Sequence, residues 1–266
     1  MKFEHIRNST IILEYAGKRF LIDPWFADKG SLGVFADNEM GLLSPVEEKN
    51  HIPMPMTELP KPINEILAEI DVNIITHIHP DHIDIKENGT CGERLNKKIP
   101  IFVRAEEEAD TMKKSGFENV FIMTEQGADI DGIKIFETPA LHGTLIPCGP
   151  ACGVVLQNTS EPTVYITGDT IWYDEVKQTI KKYNPDIIIV NACGAEFTTF
   201  GQLMMNDKDV CLMHQYAPDA TIVAVHLDTV SHQMVTREDL KKTLKQAGIN
   251  QSVIIPDDGE SFTILK

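Results

Sequence analysis

Basic charge is scarce in this chain: 24 Lys and Arg stand against 40 Asp and Glu, a net charge of −16. Nucleic-acid surfaces carry basic patches, and an anionic membrane surface attracts the same residues, so neither is an expected partner. No run approaches the roughly 20 apolar residues of a membrane-crossing helix. The segment Met1-Lys2-Phe3-Glu4-His5-Ile6-Arg7 is charged where an export signal needs an apolar stretch. The five cysteines are odd in number and lack Cys-x-x-Cys spacing, the pattern of reduced thiols in a cytoplasmic protein. No short repeat of solenoid type is present. What remains is ordinary for a soluble globular protein: 42% hydrophobic and 24% charged residues, with length enough to bury a sizeable core.

Against that background, Thr76-His77-Ile78-His79-Pro80-Asp81-His82 is dense in metal-ligand chemistry. It follows the apolar run Asp71-Val72-Asn73-Ile74-Ile75. On a strand His77 and His79 share a face, and Pro80 stops the strand, after which a turn can swing Asp81 and His82 toward a neighbouring point. Two offset groups of nitrogen and oxygen donors suit a pair of divalent metals.

The chain opens with a hairpin, Thr10–Tyr15 and Arg19–Ile22 around Ala16-Gly17-Lys18, whose second strand ends in Asp23-Pro24. Asp23 is either turn chemistry or a carboxylate that orients a metal-bound imidazole. Residues 26–60 hold no helical or strand period, and their apolar content (Phe26, Phe35, Met40, Met54, Met56) predicts a loop that packs down as a cover over a pocket. Beyond it helix and strand alternate. A helix is expected over Pro62–Ile70, partial helix over 84–97, and helices over Ala105–Lys114, Trp172–Lys182, Asp207–Gln215 and Glu238–Gln246. Strands are expected at Ile99–Val103, Val120–Met123, Ile133–Thr138, Gly153–Gln157, Val164–Thr167, Ile187–Asn191, Thr221–Val225 and Val253–Ile255, the third joined to the second by a Gly-containing turn. Two similar α/β halves packed sheet to sheet in one domain, residues 1–266, account for this order. His142, Asp169 and His226 each follow a predicted strand, where active groups of layered α/β proteins collect. Singly, each has a structural explanation; Asp169, for instance, could cap the helix that follows.

His77-x-His79-x-Asp81-His82, His142, Asp169 in Thr-Gly-Asp-Thr, and His226, together with Leu21-Ile22-Asp23-Pro24, resemble in order the metal-binding signature of the metallo-β-lactamase-fold hydrolases. The resemblance spans nearly the whole chain. Leu21–Gly33, Gly168–Val176 and Val223–Asp228 look like the compact bacterial branch of L-ascorbate-6-phosphate lactonase-like and isothiocyanate-hydrolase-like enzymes. The resemblance implies a four-layer αββα sandwich with two metals at one edge of its sheets. By it, His77, His79 and His142 hold one metal, Asp81, His82 and His226 the other, Asp169 bridges them, and Asp23 stands behind. His232 is balanced between substrate contact and a surface position ahead of a helix start at Thr236, while His5, His51 and His214 carry no functional expectation.

Two such metals, most simply Zn2+ with Mn2+ or Fe2+ as alternatives, share a hydroxide that attacks an electrophilic carbon or phosphorus. Asp81 and His226 are the expected catalytic residues, Asp81 able to receive a proton or steer the nucleophile. Cys193 and the other cysteines read as packing residues. Phe35, Trp172, Phe197 and Phe200 are candidates for an apolar lining. No Arg or Lys cluster near the motifs offers a phosphate site, which favours a neutral electrophile such as an isothiocyanate over a lactone or sugar-phosphate lactone. A phosphodiesterase or nuclease is disfavoured by the acidic balance, and a non-catalytic binding protein by the complete ligand set. The expected partner is a small molecule, with a homo-oligomer left open.

Overall fold

Strands buried on both faces, such as Ile187–Asn191, need cover on both: two seven-stranded sheets cover each other's inner faces and helices cover the outer ones. The computed structural model describes residues 1–39 and 41–264; Met40, counted above among the apolar residues of the 26–60 loop, lies outside the described residues, as do Leu265 and Lys266. In chain order the strands are β1 (Lys2–Arg7), β2 (Thr10–Tyr15), β3 (Lys18–Ile22), β4 (Val72–Ile74), β5 (Ile101–Val103), β6 (Val120–Ile122), β7 (Ala128–Ile130), β8 (Ile133–Pro139), β9 (Cys152–Gln157), β10 (Val164–Ile166), β11 (Ile187–Asn191), β12 (Glu196–Phe197), β13 (Gly201–Gln202), β14 (Thr221–Val225), β15 (Val253–Ile254) and β16 (Ser261–Thr263). The first sheet runs β16-β1-β2-β3-β4-β5-β6 and the second β15-β14-β11-β10-β9-β8-β7, with β12-β13 a separate hairpin. In both sheets one half pairs antiparallel and the other parallel. This is the similarity of halves expected above.

The period of two decides which residues meet. Ile187 and Ile189 of β11 join the core between the sheets, with Ile11, Leu13 and Ile22 from the first sheet opposite. Ile188 and Val190 face outward onto Val176 and Ile180 of α3 (Asp174–Tyr183), Val210 and Met213 of α4 (Asp207–Tyr216), and Leu240 and Leu244 of α5 (Arg237–Gln246). On the far side Ile12, Leu21 and Ile75 pack on Ile66 of α1 (Ile63–Ile66) and Ala109 and Met112 of α2 (Glu106–Lys114). The layers are therefore αββα, as expected.

Several local expectations change. The helix expected over Pro62–Ile70 is only the one turn Ile63–Ile66, because Glu69 takes a left-handed φ of 57° that breaks it. Residues 84–97 hold no helix among the described residues; Gly89 and Gly92 at positive φ and an Ile85–Cys91 bridge make them a run of turns. β6 and β8 are not neighbours across a turn: they lie in different sheets, with β7 between them in sequence. Strand β1 went unread because its apolar Phe3 and Ile6 stand three apart, off the period of two, although His5 and Arg7 are as buried as they are.

Arg7 holds the 26–60 loop by its base. Its Nη1 donates to Thr57 O at 2.9 Å, its Nη2 to Ala27 O at 2.8 Å, and its guanidinium lies 4.7 Å over the Trp25 ring. Burial pulls its pKa down to about 10, so it stays cationic near neutrality. Replacing Arg7 with Met strands two carbonyls at the two roots of the loop. The expected result is a loss of about 2–3 kcal/mol of stability in urea denaturation and faster proteolytic cleavage between residues 26 and 60. Cleavage at the wild-type rate would show that the loop is anchored elsewhere.

Candidate metal centre

Five separate segments bring Asp23 and the expected ligands to one edge of the sandwich. β3 ends at Asp23, whose backbone carries a left-handed φ of 47° and whose carbonyl accepts from Thr10 Oγ1 at 2.6 Å. Its carboxylate accepts from Thr76 N (2.8 Å), Thr76 Oγ1 (2.7 Å) and His82 Nδ1 (2.8 Å), tying the end of β3 to the ligand loop beyond β4. That loop is not strand: β4 stops at Ile74, and His77 and His79 converge through irregular backbone rather than a shared strand face. The turn after them forms as expected, with the amides of His82 and Ile83 donating to His79 O. His142 follows β8, Asp169 follows β10 and His226 follows β14. Gly168 makes the approach of Asp169 feasible: at φ 62° it passes Cys152 O so closely that a Cβ there would lie 2.2 Å away.

The donor atoms sit at coordination spacing. His77 Nε2 is 3.0 Å from His79 Nδ1. Asp169 Oδ2 lies 3.3 Å from His82 Nε2, 3.8 Å from His142 Nε2 and 3.9 Å from His77 Nε2, while its Oδ1 lies 3.9 Å from His226 Nε2. His226 Nε2 is 3.3 Å from Asp81 Oδ2. Three overlapping groups result, His77–His79–His142, His77–His82–Asp169 and Asp81–His82–His226, each with its donors within 4.8 Å of one another. Ligands of a tetrahedral zinc at ordinary bond lengths stand about 3.3 Å apart, so the spacing fits metal ions between them. His82 Nε2 makes the same point: it is buried and, among the described residues, has no hydrogen-bond partner despite the carboxylate nearby.

Four of the five imidazoles are fixed from behind, which selects the nitrogen that faces the cluster; His79 instead sets its Nδ1 3.0 Å from His77 Nε2. His82 uses Nδ1 on Asp23, His142 uses Nδ1 on Leu203 O at 2.9 Å, and His77 uses Nδ1 on Thr76 Oγ1 at 3.1 Å. His226 Nδ1 lies 3.5 Å from Cys193 Sγ, so this buried cysteine touches a ligand as well as packing, more than the expectation for it. Asn191 Nδ2 donates to Asp169 Oδ1 at 2.6 Å. Asn8, at φ 57° in the β1–β2 turn, donates through Nδ2 to Asp81 O at 3.0 Å and accepts at its backbone O from His226 N at 2.9 Å. Neither asparagine stood out in the sequence; for Asn8 the available signal was its residue type, which tolerates left-handed backbone, in the turn ahead of the Thr10–Tyr15 strand. Asp169 accepts from Asn191 and does not cap α3, whose N-cap is Tyr173.

Electrostatics in the metal-free chain are those of a crowded, buried cluster. Burial holds the His77 pKa well below the ordinary imidazole value and brings that of His79 down to about 4, the neighbouring imidazoles adding to the effect. Burial works the same way on His82, but Asp169, Asp23 and Asp81 outweigh it and hold its pKa at about 10. His226 is likewise raised against its burial, by Cys193, Asp169 and Asp81. Asp81 and Asp169 are held well below the usual carboxylate range, the imidazoles prevailing over burial. Protons on His82 and His226 thus balance the carboxylates where a cation would.

The cluster opens into a cavity of about 420 Å3. Phe35, Phe197, Phe200 and His232 line it beside His79, Asp81, His142 and Asp169. Trp172 does not: it stands edge-on to Tyr216 of α4 at 6.0 Å, because the turn into α3 carries it onto the helical layer. His232, buried rather than on the surface, does precede the Thr236 cap of α5. His5 is buried and hydrogen-bonded to Asn8 O and Asp257 O, and His51 is exposed on Glu47.

Comparison with known proteins places these features in a lineage. The model of the β-lactamase superfamily domain matches residues 18–227. The UPF0173 protein YddR of Bacillus subtilis is 36% identical over 99% of this chain and 100% of its own length. The crystal structure of an isothiocyanate hydrolase from Delia radicum gut bacteria superposes with a TM-score of 0.88 at 33% identity, covering 99% of each chain. That of a possible metal-dependent hydrolase from Veillonella parvula gives 0.88 at 32%, again over 99% of each chain.

Two outcomes test the centre. Asp23→Asn leaves His82 without its anionic anchor and should weaken metal binding roughly 10–100-fold, read by chelator competition, with circular dichroism unchanged; retained affinity would make Asp23 a purely structural residue. Because His82 and His226 must lose their protons to coordinate, zinc uptake at pH 7 should release protons in a weakly buffered solution. Affinity should therefore fall as pH is lowered. Uptake without proton release would put the metal elsewhere.

Proposed function

The chain belongs to the metallo-β-lactamase superfamily, as a metal-dependent hydrolase, and within it we propose a dinuclear enzyme that hydrolyses small uncharged electrophiles, isothiocyanates foremost. The observation that carries this reading is the character of the cavity over the ligand cluster. Leu32, Phe35, Leu42, Met54, Phe197, Phe200, Leu203 and Val230 line it, and no Lys or Arg does among the described residues. A phosphate or carboxylate bound there would be desolvated with no cation from the protein beside it, whereas an apolar tail gains from burial. The isothiocyanate hydrolase with which the chain superposes over 99% of its length supports the same substrate class.

His77, His79 and His142 would hold one metal, Asp81, His82 and His226 the second, and Asp169 would stand between them. The donor set, five of the six terminal ligands being imidazoles and one a carboxylate, suits zinc best and admits manganese or iron. When bound, such a pair lowers the pKa of water toward neutrality and polarises the substrate's heteroatom. The remaining work belongs to side chains. Asp23, Leu203 O and Thr76 hold three imidazoles in place. Asn191 steers Asp169, and Asn8 holds the backbone of both Asp81 and His226. Asp81, a half-buried carboxylate on the cavity wall, and His226 beside it are the residues at the reacting end. Asp81 steers the nucleophile more than it takes up protons, since the imidazoles weaken its basicity.

For an isothiocyanate R–N=C=S, water adds across the C=N bond: a C–O bond forms at carbon and nitrogen gains a proton. The resulting R–NH–C(=S)–OH collapses to the amine R–NH2 and carbonyl sulfide. Residues 26–60 act as the cover, contributing Leu32, Phe35, Leu42 and Met54 to the wall, which keeps the reacting carbon from bulk water.

The test is a substrate panel on zinc-loaded protein: benzyl isothiocyanate, γ-lactones, a sugar-phosphate lactone, a phosphodiester, a thioester and a β-lactam. Benzyl isothiocyanate should be turned over with release of benzylamine, with kcat/KM at least about a hundredfold above the anionic members. A preference for the phosphorylated lactone or the phosphodiester would overturn the reading.

A further inference from the structure

One polar side chain on the cavity wall has no task in the proposed metal cluster and no hydrogen bond among the described residues. His79, Asp81, His142 and Asp169 belong to the ligand groups. Asn38 is spent on its own loop: Nδ2 donates to Leu42 O at 2.8 Å and also to Phe35 O, while Oδ1 accepts from Leu42 N at 3.0 Å. The Cys148 thiol is a weak donor whose pKa burial pushes up to about 11, with Asp81 and Asp169 adding to the rise. His232 remains. It is 6% exposed, and its Nδ1 is buried with no partner among the described residues.

Its ring is held by shape rather than by polar contacts. Phe197 stacks on it with centroids 4.6 Å apart and planes 2° apart, and Phe35 meets it edge-on at 4.9 Å and 85°. Phe35 and Phe197 also pack on each other at 4.9 Å. The three rings come from the 26–60 loop, hairpin strand β12 and the segment after β14. The backbone locks the arrangement, Glu196 N donating to His232 O at 3.1 Å and Met56 N to Thr229 O at 2.8 Å. A clamped imidazole cannot turn to find water, and burial keeps it neutral, its pKa lowered to about 4. A neutral imidazole offers one N–H and one lone pair, so it can serve a neutral ligand without imposing charge on the cavity.

We propose that His232 is a substrate-orienting residue whose imidazole, gripped by Phe35 and Phe197, hydrogen-bonds a heteroatom flanking the electrophilic carbon. It thereby selects uncharged substrates that join an apolar group to a C=N, C=O or C=S bond. This rests on the reading that an uncharged electrophile fills the cavity. It adds a determinant that the metal ligands do not supply: apolar walls admit the tail in many poses, and one directional contact restricts them to the pose that presents the carbon to the metal end. Substrates lacking a heteroatom at that point gain nothing from it.

Two substitutions separate the hydrogen bond from the stack. His232→Phe keeps an aromatic ring between Phe35 and Phe197 and removes both nitrogens, whereas His232→Gln restores a hydrogen-bonding group without the ring. On zinc-loaded protein with benzyl isothiocyanate, His232→Phe should lose roughly tenfold or more in kcat/KM, the worth of one buried hydrogen bond, with zinc content and thermal midpoint at wild-type values. His232→Gln should recover part of the loss. The second readout needs no turnover: N-benzylthiourea, an unreactive neutral mimic, should bind wild type and bind His232→Phe roughly tenfold more weakly by calorimetry. Equal affinity for the two proteins overturns the proposal, as does failure of wild type to bind the mimic, or a loss of turnover that merely tracks lost zinc. If wild type binds the mimic but hydrolyses no isothiocyanate, the substrate reading fails while the affinity ratio still decides the role of His232.

Discussion

The three hydrogen bonds that converge on the Asp23 carboxylate hold the ligand loop against the end of β3. One of them comes from a backbone amide, one from a hydroxyl and one from the ring of His82, so a single buried carboxylate fixes main chain, linker and ligand together. The geometry downstream follows. Thr76, held by Asp23, presents its Oγ1 to His77, and His79 accepts the amides that turn the chain back toward Asp81 and His82. Burying an anion is costly unless it is fully hydrogen-bonded. Asp23 meets that condition only when the loop is in place, so folding of the loop and stability of the strand end are coupled.

The second sheet contributes in the same way but from the opposite side. His142, Asp169 and His226 sit just beyond β8, β10 and β14, and only closure of the sandwich brings them to the first sheet's ligands. Asn8 and His226 form the seam: the amide of His226 donates to Asn8 O, and Asn8 Nδ2 donates to Asp81 O. Asn8, Asp23 and His226 all adopt left-handed backbone in buried positions. Such strain at non-glycine residues persists only where surrounding contacts over-determine it, and here it is concentrated where the two sheets share the cluster. The cluster is thus a joint between the sheets as well as a site.

What could be read from the sequence is what residue type and local order encode. His77–His82 declared themselves by density, and His142, Asp169 and His226 by standing after apolar runs whose period marks strands. The order of those runs indicated two α/β halves packed sheet to sheet, and the family resemblance supplied the αββα layering. The functions of Asn8, Asn191 and Cys193 were not legible, because each acts through a contact made across more than twenty residues of chain, and the same residue types serve turns and cores everywhere. Trp172 shows the converse error. Its place three residues after Asp169 suggests the pocket, yet the direction of the turn into α3 decides, and it delivers the ring to Tyr216. The partial helix expected within 84–97 failed on two left-handed glycines, which periodicity does not weigh.

The cavity and the cluster make opposite electrostatic demands, and their juxtaposition narrows the chemistry. The cluster concentrates carboxylates that cations or imidazolium protons must balance, while the wall a few residues away is nearly all hydrocarbon and sulfur. A charged substrate would have to leave water for that wall to reach the cluster, and no side chain there compensates it. An uncharged substrate crosses freely and acquires charge only at the reacting atom, where the cluster can stabilise it. Binding energy from the tail is then available for placing that atom rather than for offsetting desolvation of the ground state. The same economy explains why a neutral polar group on the wall is compatible with the design and a lysine would not be. A cation there would draw in the anions that the apolar wall otherwise turns away, and it would repel any metal ion held at the proposed centre.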